Sequence, residues 1–265
     1  MHQLNDPKLL EQCKRIKNMI AQVAQDPKHK NDYYAKRHHW KLSPPADLAE
    51  IEQFEQYAGV TLPTEYVYYL TQVGRGGAFP GTGLDDFDAE DGKKQDRLKF
   101  VSEALCEVMT EKEWMEKFED EGLLEDGILD LCGMDITYIA YLIVSGPLAG
   151  RVVYLDYNGD TAPMWPKGCP DFLTWCEEFY SELLAGYDIN PTWKFMWMQH
   201  GDVADLINAF EKETSIENKE DILLSFTKFD TLSQESLDFF KSITDSKFQE
   251  IIQTVIEYFE KKSKK

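Results

Sequence analysis

The chain has 265 residues, 43% of them apolar and 13% aromatic, and its 28 basic against 48 acidic side chains leave a formal charge of −20 at pH 7. That field repels nucleic-acid backbones and anionic lipid surfaces, which excludes direct binding to either as the expected role and favours a basic protein partner. The apolar share suffices for a real core, and the length exceeds the usual single domain of about 100 to 200 residues, so two unequal domains are expected.

Cys13, Cys106, Cys132, Cys169 and Cys176 are odd in number and include no C-x-x-C pair. They read as small buried hydrophobes, with no disulfide frame and no zinc site. Charged residues interrupt the apolar positions of the first twenty-five, which gives no secretion signal, and the longest strong apolar run, Ile139 to Val144, is far short of the roughly 18 residues of a membrane span. A cytoplasmic location is the expectation.

In chain order, Asp6 and Pro7 read as the cap and first turn of an amphipathic helix whose buried face is Leu9, Leu10, Cys13, Ile16, Ile20 and Val23. Asp26 to Leu42 is polar; it contains His29, His38 and His39 without a carboxylate or thiolate companion motif, and reads as a solvated connector. Ser43 and Pro44 suggest the start of a second helix carrying Leu48, Ile51 and Phe54, closed by a left-handed Gly59. A third helix is expected after Pro63, with Tyr66, Tyr69 and Leu70 on its inner face, until Gly74, Gly76 and Gly77 stop it. The acidic loop from Asp85 to Asp96 opens like a calcium loop, but Asp91 and Arg97 stand where glycine and glutamate belong; Asp156, Asn158 and Asp160 fail the same test.

Phe100 to Glu121 suits a helix with Trp114 and Phe118 four apart. Strands are expected at Ile128 to Cys132, Tyr138 to Val144 and Val152 to Tyr157, with a short edge strand near Met164 after an Asn158-Gly159 hairpin turn; short connections make the sheet mainly antiparallel. After Pro170, the positions Phe172, Leu173, Trp175, Cys176, Phe179 and Leu183 define a helix that covers one sheet face and ends near Gly186. Beyond it the apolar residues recur only at helical spacing, as an all-helical extension, and Lys261 to Lys265 read as a frayed, solvated end.

One constellation is more specific. Leu62-Pro63-Thr64-Glu65-Tyr66, Tyr69-Leu70, then Val73-Gly74-Arg75-Gly76-Gly77-Ala78, Pro80-Gly81 and Gly83-Leu84 are followed by Leu142-Ile143-Val144, Gly146, Gly150-Arg151-Val152-Val153-Tyr154 and Asp171-Phe172-Leu173-Thr174-Trp175. In order and separation these resemble the SUKH (Smi/Knr-type) superfamily over roughly residues 43 to 186. The resemblance implies an α+β fold, a mainly antiparallel sheet flanked by helices. It divides the chain into a leading helix and connector (1–42), a SUKH-like domain (43–186) and the helical extension (187–265). Pro63, Tyr66, Gly74, Gly76, Gly77, Gly83, Gly146, Gly150 and Trp175 are its scaffold positions.

The implied function is protein binding without catalysis or cofactor. Bacterial members look mostly like immunity proteins of polymorphic toxin systems that sit on a cognate toxin domain, often a nuclease, while fungal relatives act as cell-wall and signalling regulators. An acidic inhibitor suits the basic cleft of a nuclease. Asp85, Asp86, Asp88, Glu90, Asp91, Asp156 and Asp160 are the candidate partner-binding residues. No G-x-S-x-G, H-E-x-x-H or Walker loop is present, so an enzyme is not expected.

Overall fold

The structure is a computed structural model and describes residues 2–30, 32, 35–118, 123–159, 161–189 and 192–263. It is an α+β arrangement that divides into two compact units, one of residues 1–165 and 169–181, the other of residues 166–168 and 182–265. No helix among the described residues is long and apolar enough to cross a membrane.

In the first unit, α1 (Pro7–Gln25) begins where Asp6 accepts the Lys8 amide and Pro7 fills the first position, and it buries Cys13, Ile16, Ile20 and Val23 as its spacing requires. The connector is solvated only in part: among its described residues Lys28, Lys30, Lys36, Arg37, His39 and Lys41 are exposed, but others are buried. It holds a 3-10 turn (Pro27–His29) and a one-turn helix α2 (Ala35–His38), with Ala35, His38 and Trp40 buried. The indole of Trp40 accounts for this: its ring packs edge-on to Tyr180 and its N–H reaches the His29 carbonyl at 2.9 Å.

The second helix, α3 (Leu48–Ala58), starts later than Ser43-Pro44 suggested. Residues preceding proline disfavour the helical region, and the cap forms instead at Asp47, whose N–H donates to Glu50 at 2.8 Å. Gly59 closes it at φ 73°. After Pro63, α4 (Thr64–Tyr68) runs into a π turn (Tyr69–Val73) before Gly74. The expected helix over residues 100–121 is confined among described residues to α5 (Glu111–Phe118), because Thr110 and Glu113 cap each other there.

The sheet has three antiparallel strands in the order β1 (Ile128–Gly133), β2 (Tyr138–Ile143), β3 (Val152–Asp156), with a bulge between Asp130 and Cys132. Among the described residues the fourth strand is reduced to one bridge, and Asp160, within the expected hairpin, lies outside them. Met164 exchanges both backbone hydrogen bonds with Tyr154 on the open side of β3, at 2.8 and 2.9 Å, while on the β2 side the Tyr157 N–H adds one more rung to the Thr137 carbonyl at 2.6 Å.

Helix α6 (Phe172–Ala185) contributes Phe172 and Trp175 to one face of the sheet, where they join Tyr66, Tyr69, Phe79 and Tyr154 in an aromatic core. The Trp175 N–H donates to the Tyr154 hydroxyl at 2.7 Å, which matches the one polar atom of each buried ring. The other face packs Tyr141, Ile143, Val153 and Leu155 against Ala104, Leu105 and Leu124. The division between units falls between Ser181 and Glu182, inside α6.

The second unit is helical among its described residues: α7 (Thr192–Trp197), α8 (Val203–Lys212), α9 (Ile216–Ser225), α10 (Gln234–Ser242) and α11 (Gln249–Lys262). Its core gathers Leu206, Phe210, Ile222, Leu223, Phe226, Phe240, Ile252 and Val255. Of the end expected to fray, Lys261 and Lys262 instead close α11, Lys262 pairing with Asp230, while Lys264 and Lys265 lie outside the described residues.

Candidate functional site

The glycine-rich segment after α4 is pinned between two strips of backbone. Ser43 donates its amide to the Gly76 carbonyl, Ala78 donates to Lys41, and Gly77 and Leu84 exchange both of their bonds. A side chain at Gly77 would run into the Lys41 carbonyl, and one at Gly76 into Asp86. The glycines therefore permit close backbone passage, and that passage sets segments 41–43 and 82–86 on either side of a cleft of about 330 Å³ lined by Arg37, His38, Lys41, Ser43, Asp85 and Asp86 among others.

Two carboxylates stand at this cleft in committed positions. Asp85, its side chain 85% exposed, is ion-paired with Arg37, and Asp86 accepts the Ser43 hydroxyl at 2.6 Å. Behind them Arg75 grips Glu50 through both oxygens, at 2.8 and 2.6 Å, and these hydrogen bonds hold the Glu50 carboxyl below its ordinary range.

His38 is buried at the back. Its Nδ1 accepts the Trp40 amide at 3.0 Å, so the neutral ring carries its proton on Nε2, a buried atom without a partner among the described residues. Burial first, then the charges of His39 and Arg37, push its pKa down to about 4, and the ring is neutral at pH 7. The two residues that follow, His39 at φ 50° and Trp40 at φ 56°, occupy the left-handed region consecutively, a strain of about 1 to 3 kcal/mol each.

The remaining acids follow in the same loop. Asp88 caps a 3-10 turn (Ala89–Lys94) by accepting the Glu90 amide at 2.9 Å; Glu90 pairs with Lys93 at 2.6 Å and Asp91 with Lys94 at 2.7 Å. Exposed pairs of this kind contribute little stability and leave the oxygens accessible. Of the seven candidate acids, Asp85, Asp86, Asp88, Glu90 and Asp91 share this loop. Asp156 lies elsewhere, buried in β3 opposite Tyr138, and Asp160 is outside the described residues.

The scaffold positions have structural tasks. Pro63 precedes α4, Tyr66 meets Phe172 edge-on at 5.1 Å, Gly74 is pressed on Ser43, and Gly83 lies over the His38 ring. Gly146 abuts Val101, and Gly150 links the strands to α6, donating to Ile143 and accepting from Phe172.

Three features escaped sequence reading. One is the burial of His38, hidden in a polar stretch. Another is a pair of exposed apolar residues on neighbouring turns at one sheet end, Ile136 at 96% and Tyr157 at 64% exposure. The third, in the helical unit, is a buried ionic group: Lys228 donates to Glu182 at 2.5 Å and to the Gln199 carbonyl at 2.9 Å, the Gly201 amide donates to the same carboxylate, and the His200 Nδ1 stands 3.6 Å from it. Burial alone would raise the Glu182 carboxyl, but His200 and Lys228 outweigh it and hold it below the ordinary range. Residues so far apart in sequence carry no motif that would join them.

No protein-family model matches the sequence, and no curated protein and no solved structure matches it either. Among the described residues no group of three or more His, Cys, Asp or Glu side chains is placed to hold a metal ion.

Proposed function

We propose that this chain is a non-enzymatic, cytoplasmic protein-binding module of the SUKH type, an immunity protein that seats its acidic loop on the basic surface of a cognate toxin domain, a nuclease being the class its charge suits. The observation that carries this reading is the clustering of Asp85, Asp86, Asp88, Glu90 and Asp91 on one loop beside a concave cleft, in a molecule of net charge −20. Oriented carboxylates on one loop steer and register a cationic partner without chemistry. Their partners support binding over turnover: Asp85 is tied to Arg37 and Asp86 to Ser43. Ile136 and Tyr157 supply exposed apolar anchors of the kind that concentrate binding energy.

The test is capture from the native host at low salt, followed by co-expression of the recovered toxin domain with this chain. Growth rescue is expected. Asp85→Lys with Asp86→Lys should slow association by about ten-fold or more at low salt, with the effect shrinking as salt rises. Recovery of metabolic enzymes alone, without rescue, would overturn the immunity reading and leave the regulatory-scaffold alternative that the same resemblance carries.

A further inference from the structure

In the helical unit a groove of about 380 Å³ is bounded by the end of α6, the loop after α9, and the first turns of α8 and α10. Its apolar wall is built from Ala185, Tyr187, Val203 and Phe229, with the Tyr187 and Phe229 rings edge-to-face at 4.9 Å. Asp202, Asp230 and Glu235 stand along it; its described lining residues include no lysine or arginine, and the buried Lys228 ammonium, offset by Glu182, lies over the two rings, 5.2 Å from the Tyr187 centroid and 5.6 Å from that of Phe229.

These carboxylates are not equivalent. Asp202 caps α8, accepting the Asp205 amide at 3.0 Å, and Glu235 lies in the first turn of α10, so each is partly offset by a helix N-terminus. Asp230 belongs to no helix, and its side chain is 82% exposed. The chain itself shows what Asp230 accepts: the Lys262 ammonium lies 3.2 Å from its Oδ1 and 3.4 Å from the Phe229 carbonyl oxygen. A carboxylate and a carbonyl together coordinate a primary ammonium, and the aromatic wall beside them suits the four-carbon stem of a lysine.

We propose that this groove binds a lysine-rich segment of a partner protein, and that Lys262 is a built-in competitor for its first position. The occupant follows from complementarity: three carboxylates against the Lys262 ammonium at the lip, with an apolar wall beside them. The proposal does not rest on the immunity reading and assigns the helical unit a binding role of its own.

The probe is N-acetyl-pentalysine amide, titrated into the full chain at low salt while the Tyr187 and Phe229 ring resonances are followed. Saturable shifts of both rings are expected. Lys262→Ala should tighten binding about three-fold, and Asp230→Asn with Glu235→Gln should weaken it about ten-fold. The equally charged control, Glu217→Gln with Glu250→Gln, should change it less than about two-fold. Equal weakening by both pairs, unmoved rings, or an affinity indifferent to Lys262→Ala would overturn the proposal.

Discussion

Two buried ionisable residues make opposite demands on their surroundings. Lys228 and Glu182 are almost fully buried, 0% and 1% exposed, and are tolerable there only as a pair. Glu182→Gln keeps the shape but strands the ammonium and should cost about 3 to 5 kcal/mol, read from the urea midpoint. A carboxylate whose folded pKa is depressed adds stability above its unfolded value, near 4.3, and loses it as pH falls through the folded one, so the difference between the two proteins should narrow only in acid.

His38 titrates in another window. Its pKa is about 4 when folded against 6.5 for the free side chain, so between those values the unfolded chain binds a proton that the native one refuses. Stability should therefore fall as pH drops from 6.5 to 4, by on the order of 2 kcal/mol after allowing for solvent screening at the cleft. His38→Gln should remove that slope; an unchanged pH profile would show that the ring is free to charge in the native state.

At the scale of elements, the glycines separate by what surrounds them. Gly77, at φ 88°, has the Lys41 carbonyl where a Cβ would go, whereas Gly59, at φ 73°, has nothing within 4 Å. Gly59→Ala should cost only the left-handed strain, about 1 kcal/mol, while Gly77→Ala must also move backbone and should cost at least about 3 kcal/mol in thermal or denaturant unfolding. Similar losses for the two would mean that segment 41–43 yields easily, and the cleft would then be a loose one.

The same contrast explains what could be read in advance. Helices α1, α6 and the periodic runs of the extension were legible because their apolar residues recur at helical spacing and their caps are local. The connector was not, since Trp40 folds it by reaching Tyr180, far along the chain. The edge strand near Met164 was legible only in part: the chain pairs back on β3 at Tyr154 alone, a length that the Asn-Gly turn signal does not set. Of the acidic candidates, loop neighbours stayed together because adjacency survives folding, while the burial of Asp156 depends on its strand.

At the scale of the whole molecule, each unit has a core of its own, which predicts that damage to one is felt there first. Phe226 is fully buried and touches Phe229, Phe239 and Phe240, stacking on Phe239 with ring centroids 5.8 Å apart. Removing such a ring leaves a cavity that a cluster this aromatic cannot collapse to fill, so Phe226→Ala should cost about 3 to 5 kcal/mol. Local opening draws on the stability of the unit that opens. Hydrogen exchange should accordingly accelerate across α8 to α11 while the amides of β1, β2 and β3 keep their protection. A uniform rise over both would instead mark the chain as one cooperative block, with α6, which contributes to both units, transmitting the loss from helices to sheet.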